Sequence, residues 1–288
     1  MLLVRSRTEE YACPHPSVGD GSEQDRRMSQ DKNPRGPIQR RREISDHVLT
    51  EGSASASDLA ERFGVSPMTI YRDIDELERE GILRKFRGGV TAQPSGVFES
   101  NVAYRKRSMR SEKEAIAAKA ATMIEPGMSV MIDDSTTALE LARLLPRIEP
   151  LTVVTNFLEA LNLLADERGL HLMALGGDYD PLHDSFLGVP CVEAVEALRV
   201  DLCFVSTSSV YGDFAFHQEQ RIVAVKRAML KAAGRTVLMI DHSKLGRTAL
   251  HRLTPLSTFD LVLIDDRTPP DVLRSLDERG VRYEVAPT

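Results

Sequence analysis

Six short apolar runs in the second half of the chain do most to limit its fold. They are "SVMIDD" (129–134), "LTVVTN" (151–156), "LHLMALGG" (170–177), "DLCFVST" (201–207), "TVLMID" (236–241) and "FDLVLIDD" (259–266). Each has the length of a strand and is almost continuously apolar. Between most of them lie segments with helical apolar spacing, at 136–145, 157–166, 189–199 and 219–233. A strand that is apolar at successive residues is covered on both faces. Strands alternating with helices build a mostly parallel sheet. The pattern predicts an α/β domain over residues 113–288, and such sheets bind ligands outside the carboxyl ends of their strands.

The first hundred residues follow another pattern. Residues 1–35 are rich in Gly, Pro, Ser and charge and are expected to be disordered, with Met28 as an alternative start. Ile44, Val48 and Leu49 mark a first helix over 38–50, stopped by Gly52. Ser55 caps a second helix, with Asp58 completing a capping box and Leu59, Ala60 and Phe63 on its buried side. Gly64 makes a turn. Ser66 then caps a third helix with Pro67 at its first position, and Ile70, Ile74 and Leu77 form its apolar stripe up to Gly81. "ILRKFRGGV" (82–90) alternates and turns at Gly88-Gly89, as a hairpin does. Two helices joined by a tight turn and followed by a hairpin make a winged helix-turn-helix over 36–92, with a linker at 93–112.

Charge agrees with this division only weakly. The chain carries a net charge of -6, yet residues 36–110 hold 13 bases against 11 acids, while 111–288 hold 18 against 26. No apolar run approaches the roughly 18 residues of a membrane span, and no apolar leader opens the chain. Cys13, Cys191 and Cys203 are far apart and odd in number. They are expected to be reduced thiols of a cytoplasmic protein.

The third helix and hairpin, residues 66–90, carry five acids and five bases. At about 100° per residue, Ile70, Ile74 and Leu77 face inward and Met68, Arg72, Asp75 and Arg79 outward. No acid precedes Asp73 on this helix. Asp73 itself lies beside the apolar stripe and is expected to pair with a base inside the domain, Arg41, Arg42 or the hairpin.

These residues resemble the N-terminal signature of the DeoR family of bacterial transcriptional regulators. Arg40, Ile44 and Val48 are followed, after a further 17 residues, by Ser66, Thr69, Ile70, Tyr71, Arg72, Asp73 and Ile74. Tyr71 stands where the family usually has a base. The resemblance implies double-stranded operator DNA as a partner. Ser66, Met68, Thr69, Tyr71 and Arg72 of the helix are then the DNA-facing residues, together with Arg84, Lys85 and Arg87 of the wing. Tyr71 is expected either to contact DNA or to pack on the first helix.

The resemblance extends over the second half through "DDSTTALELARLL", "VVTN", "LGGDYDPLHDSFLG", "VKRAML", "DHSKLGR" and "DLVLIDD". It implies a domain similar in fold to ribose-5-phosphate isomerase that binds a phosphorylated sugar or polyol as effector. Ser135, Thr136 and Thr137 lie between a strand and a helix start and read as a phosphate cradle or as ordinary caps. Asp134, Asn156, Gly176, Gly177, His217, Lys226 and Lys244 complete the expected effector site. The chain departs from the family at "STSSV" (206–210), at Ile222, where an acid is usual, and at Glu219. "FHQEQ" (216–220) is distinctive, with His217 and Gln218 candidates for specificity. A homo-oligomer, no cofactor and no metal are expected; the pairs His183-Asp184 and Asp241-His242 have no third ligand at a recognisable spacing. An isomerase or deaminase on the same fold, using Asp133, Asp134 or Glu219 as base, is the competing reading.

Overall fold

The computed structural model describes residues 36–51, 53–79, 83–92 and 102–288. Residues 1–35, with Met28, and the glycines 52 and 81 lie outside them. The first helix, α1, runs Pro37–Glu51, α2 Ala56–Phe63 and α3 Pro67–Arg79. Ser55 accepts the Asp58 N–H at 3.1 Å to cap α2, and Gly64 closes it at φ 62°. Ile44, Val48, Leu59, Ile70, Ile74 and Leu77 form one small core with Leu83 and Val90 of the hairpin. That hairpin, β2 (Leu83–Phe86) and β3 (Gly89–Ala92), is joined by a strand the sequence pattern does not announce, β1 (Ser53–Ser55), in the order β1-β3-β2. Gly89 makes the pairing possible: a Cβ there would collide with the Ala54 carbonyl and come within 2.8 Å of the Phe86 ring.

The expected linker at 93–112 is partly structured. Residues 93–101 lie outside the described segments, but α4 (Val102–Arg107) and α5 (Arg110–Ala121) follow at once. Val102 packs on the apolar core of the larger domain, as Ile116, Ala117 and Ala120 of α5 do. Burial of these side chains, each contributing about 1–3 kcal/mol, draws the segment onto that domain.

A seven-stranded sheet organises the remainder. Its members are β4 (Ser129–Ile132), β5 (Leu151–Thr155), β6 (Leu170–Ala174), β9 (Val200–Val205), β12 (Ala233–Met239), β14 (Leu261–Asp265) and β15 (Tyr283–Ala286). Their order is β15-β14-β12-β9-β4-β5-β6, and every pairing is parallel. Successive residues serve opposite cores, which is why the runs are continuously apolar. Val130, Ile132, Leu202, Phe204, Val237 and Met239 face one core; Met131, Cys203, Val205, Leu238 and Ile240 face the other. The first face is covered by α5, α6 (Thr136–Ala142) and α7 (Leu158–Leu164). The second is covered by α8 (Val189–Glu196), α9 (Gln220–Lys231) and α10 (Pro270–Glu278).

Two small antiparallel additions sit on this frame. One pairs β7 (Asp178–Asp180) with β8 (Ser185–Leu187). The other joins β10 (Ser209–Tyr211), β11 (Phe214–His217) and β13 (His251–Pro255). No helix of the described residues is long and apolar enough to cross a membrane. From β4 the chain winds one way to β5 and β6, then returns to the other side of β4 at β9. The gap beyond the carboxyl ends of β4 and β9 is thus the switch point where open α/β sheets bind ligands.

Candidate functional site

A pocket lies at that switch point. It is lined by Ser135 with Thr136 and Thr137 of the first turn of α6, by the loop after β9 (Ser206, Thr207, Ser208) and by the segment after β12 (Asp241, Lys244). Lys226 of α9 and His217 of β11 enter from one side, and Arg105 of α4 and Lys113 of α5 from another.

Each element positions its contribution for a local reason. Ser135 caps α6, its Oγ accepting the Ala138 N–H at 3.0 Å, and Thr136 donates to the Arg105 carbonyl at 3.3 Å. Ser135 is thus a cap, and all three residues line the pocket. Asp133, buried at the end of β4, accepts the Ser135 N–H at 3.1 Å and the Ser206 N–H at 2.7 Å, so one carboxylate fixes two of the pocket's loops. Asp133 also binds the Lys226 ammonium, which lies 3.0 Å from Asp134 Oδ1. Asp134 Oδ2 accepts the Ser185 hydroxyl at 3.0 Å.

Lys226 lines the pocket with its ammonium paired to two buried carboxylates. Burial pulls its ammonium down, but Asp133 and Asp134 outweigh that and hold it above its ordinary value. Asp134 mirrors it: burial pushes its carboxyl up, while Lys226 and then Arg105 pull harder and keep it ionised. Neither carboxylate stands unengaged as a base. Arg105, Lys113 and Lys244 also bring cationic side chains to the pocket wall. Lys113 is buried, and that burial brings its ammonium down to about 7. Its Nζ donates to the carbonyls of Arg105 and of Ser108, the latter at 2.6 Å.

The other expected effector residues divide. His217 lines the pocket; burial, with the Lys226 charge, lowers its imidazole well below its ordinary value, so the ring is neutral at pH 7. Asp134 and Asn156 are buried behind the wall, and Asn156 donates to the Phe186 carbonyl at 2.9 Å. Gly176 and Gly177 are not in the wall. Gly177, at φ 150°, accommodates the Leu187 carbonyl and the Cys191 side chain, not a ligand. Gln218 and Glu219 are half-buried and also outside the wall. Arg105, Lys113, Ser206, Thr207, Ser208 and Asp241 were not anticipated from the sequence. "STSSV" was noticed there only as a departure, and nothing local to Arg105 or Lys113 points to the pocket. His242 of the pair Asp241-His242 is held by Asp265 at 2.8 Å. Among the described residues no group of three or more His, Cys, Asp or Glu is placed to hold a metal ion.

In the small N-terminal core the expected partner of Asp73 is corrected. It is Arg40, whose Nε and Nη2 donate to the carboxylate at 2.6 and 3.3 Å. Arg40 lies one helical turn before Ile44 on the same inward face, whereas Arg41 is half-buried and Arg42 exposed. The other acids fasten the wing and the helix. Asp75 pairs with Lys85, Glu78 accepts the Lys85 N–H at 2.9 Å, and Glu76 pairs with Arg79 at 2.7 Å. Ser66 caps α3 through the Thr69 N–H at 3.2 Å. Met68 (64% exposed), Tyr71 (36%) and Arg72 are presented outward at the start of α3, and Arg84 and Arg87 are exposed on the wing. The exposure of Tyr71 favours an outward role over packing on α1.

Residues 40–95 match the DeoR-like helix-turn-helix domain, and residues 108–266 match the DeoR C-terminal sensor domain. The chain belongs to the DeoR family of transcriptional regulators. Among DeoR-family relatives it is 32% identical over 250 residues to the uncharacterized HTH-type transcriptional regulator YgbI of Escherichia coli K12, covering 87% of this chain and 98% of that one. It is 30% identical to the glycerol-3-phosphate regulon repressor of the same strain, covering 86% and 98%. Among solved structures, ribose 5-phosphate isomerase A of Methanocaldococcus jannaschii aligns over 46% of this chain and 53% of its own, at 17% identity and a TM-score of 0.34. As a DeoR-family member the protein regulates transcription, binding DNA through its helix-turn-helix and a small-molecule effector through its sensor domain.

Proposed function

We propose that this protein is a repressor of carbohydrate-metabolism genes that is controlled by a phosphorylated sugar or polyol bound in the switch-point pocket. One observation carries the reading: Arg105, Lys113 and Lys244 converge there with the hydroxyls of Thr136, Thr137 and Ser208. Cations and hydroxyl donors around a pocket at strand ends suit a phosphate with a polyhydroxylated body. A relative named for the glycerol-3-phosphate regulon supports the same ligand class. DNA is met by Met68, Thr69, Tyr71 and Arg72, with Ser66 capping the helix and Arg84, Lys85 and Arg87 on the wing. A homo-oligomer presents paired heads to two half-sites.

Arg105 and Lys113 lie on α4 and α5, the first structured elements after the segment that joins the two domains. Ligand contacts there act directly on the connection to the DNA-binding head. The test is fluorescence anisotropy of the full-length protein on DNA from its own promoter region, titrated with glycerol 3-phosphate, ribose 5-phosphate and fructose 6-phosphate. Release or tightening by at least one of them, lost in Thr137→Asp, is expected. An unaltered anisotropy with all three, in a protein that binds the DNA, would falsify the reading.

A further inference from the structure

The wing carries an apolar side chain that the small N-terminal core does not use. Successive residues of a strand face opposite ways. On β2, Leu83 enters the core, and Lys85 lies on the same side, tied to Asp75 and Glu78 of α3. Arg84 and Phe86 face the other way, and Phe86 is 49% exposed. Phe86 pairs with Gly89 across the hairpin, and its Cζ lies 2.8 Å from where a Cβ of that glycine would stand. Covering the glycine accounts for the buried part of the ring. It does not account for the half that stays open.

What surrounds the open half is basic. Arg84 and Arg87 are exposed to either side of Phe86 along the chain, and Gly88, at φ 92°, completes the tight turn. Residues 83–92 hold no acid. An aromatic ring set between arginines suits a polyanion that also offers apolar faces, and duplex DNA does so through the sugars that wall its grooves. The surface continues that of α3, which presents Met68, Tyr71 and Arg72 outward. A recognition helix fills a major groove about 12 Å wide, and the minor groove beside it is only about 6 Å wide. A ribbon of two strands about 4.8 Å apart, with its side chains, does not enter that groove, but single side chains at its turn do.

We propose that Phe86 is a minor-groove contact, its open ring lying against the sugars and base edges next to the major groove that α3 enters, with Arg84 and Arg87 on the flanking phosphates. The contact is apolar and makes no hydrogen bond to a base. It therefore reads whether the groove floor carries the guanine amino group, the feature by which the minor groove separates G·C from A·T. Apolar side chains in this groove also favour base steps that open easily. This rests on the reading that the wing meets DNA, and adds a sequence preference carried by Phe86.

The test is fluorescence anisotropy of the full-length protein on two copies of its promoter fragment, one made with guanine and one with inosine in its place. Inosine keeps the major-groove O6 and N7 acceptors and removes the minor-groove amino group. The wild type is expected to bind the inosine DNA about fivefold more tightly, the low end of what one altered base pair costs. Phe86→Ala should weaken binding to the inosine DNA by about tenfold, the scale of burying the open half of a Phe, and should abolish the preference. Its affinity should fall with salt as steeply as that of the wild type, because no phosphate contact is lost. Phe86→Thr, whose branched side chain suits a strand, repeats the measurement if melting by circular dichroism shows that alanine loosens the hairpin. Unchanged affinity in both variants, or a wild type without the preference, overturns the contact. Weakening that is equal on the two DNAs overturns it too, and a shallower salt slope then assigns Phe86 to holding the arginines in place. Arg87→Ala separates this from the underlying reading. If that variant weakens binding while the Phe86 variants do not, only the contact falls; if it also keeps the wild-type affinity and salt slope, the wing does not meet DNA and both fall.

Discussion

Lys113 shows how one side chain reports the state of the pocket. Burial brings its ammonium from the ordinary 10.5 down to about 7. Between those two values the unfolded chain holds the proton and the folded protein does not, so Lys113 makes stability rise with pH across that window. A bound dianion reverses the balance, because it favours the ammonium and draws a proton in. Affinity for sulfate, whose charge is constant over this range, should therefore fall as pH rises above 7, with a slope of up to about tenfold per unit. Lys113→Met should flatten that slope in calorimetry at pH 7, 8 and 9. A wild-type affinity that holds steady over the same interval would show that the lysine does not face the anion. Asp73 illustrates a different residue-level point. Its place beside the apolar stripe signals an internal ion pair, but the choice of Arg40 over Arg41 or Arg42 rests on which arginine shares the inward face of α1. Three consecutive bases leave that choice open until the helix is placed.

Among the elements, the wing depends on α3 as much as on its own turn. Lys85 is bound by Asp75 through its ammonium and by Glu78 through its N–H, so two acids of the recognition helix hold the first wing strand. An exposed pair of this kind contributes about 0–1 kcal/mol to stability, and its larger effect is on charge near the DNA. Asp75→Asn should free Lys85 for phosphate, raise affinity for nonspecific duplex DNA and steepen the salt dependence by up to about one counterion. Anisotropy across a salt series measures both, and a weaker complex with an unchanged slope would mean that Lys85 positions the wing rather than touching DNA. Strands with both faces buried were legible, and all six apolar runs became members of the large sheet. β15 was missed because "YEVA" is an edge strand with a charge in its middle. β1, β7 and β8 have three residues each, too few for alternation to be read. Helix α4 and only the first turn of α5 fall in the expected linker at 93–112, because "RKRS" and "RSEK" hide a packed face that only the sheet reveals. The pocket shows the same limit: of the segments after strands only Ser135, Thr136, Thr137 and Lys244 are legible as lining, whereas Arg105 comes from a helix inside the expected linker and Lys113 from just past its end.

Across the whole molecule, the question is how a ligand at the strand ends is felt at the DNA. α4 is the element that touches both problems. Its Arg105 lines the pocket, its Arg105 carbonyl accepts from Lys113 and Thr136, and its first residue, Val102, donates its N–H to the Leu182 carbonyl at 3.3 Å. Leu182 lies between β7 and β8. The start of α4 is therefore fastened to the β7–β8 hairpin and its Arg105 to the pocket, while the chain running back from Val102 leads to the DNA-binding head. Coupling between two sites needs an element whose arrangement both of them bias. Val102→Pro tests α4 in that role with little collateral damage, since proline is tolerated at the first position of a helix. It removes the Leu182 bond, whose net contribution is on the order of 1 kcal/mol, and no side chain of the pocket. Effector affinity, measured by calorimetry, should stay within about twofold of wild type, and binding to promoter DNA without effector should hold. The ratio of DNA affinities with and without effector should shrink by roughly fivefold, the equivalent of that lost bond. A variant with a full effector response would show that the signal leaves the sensor domain by a route other than the start of α4.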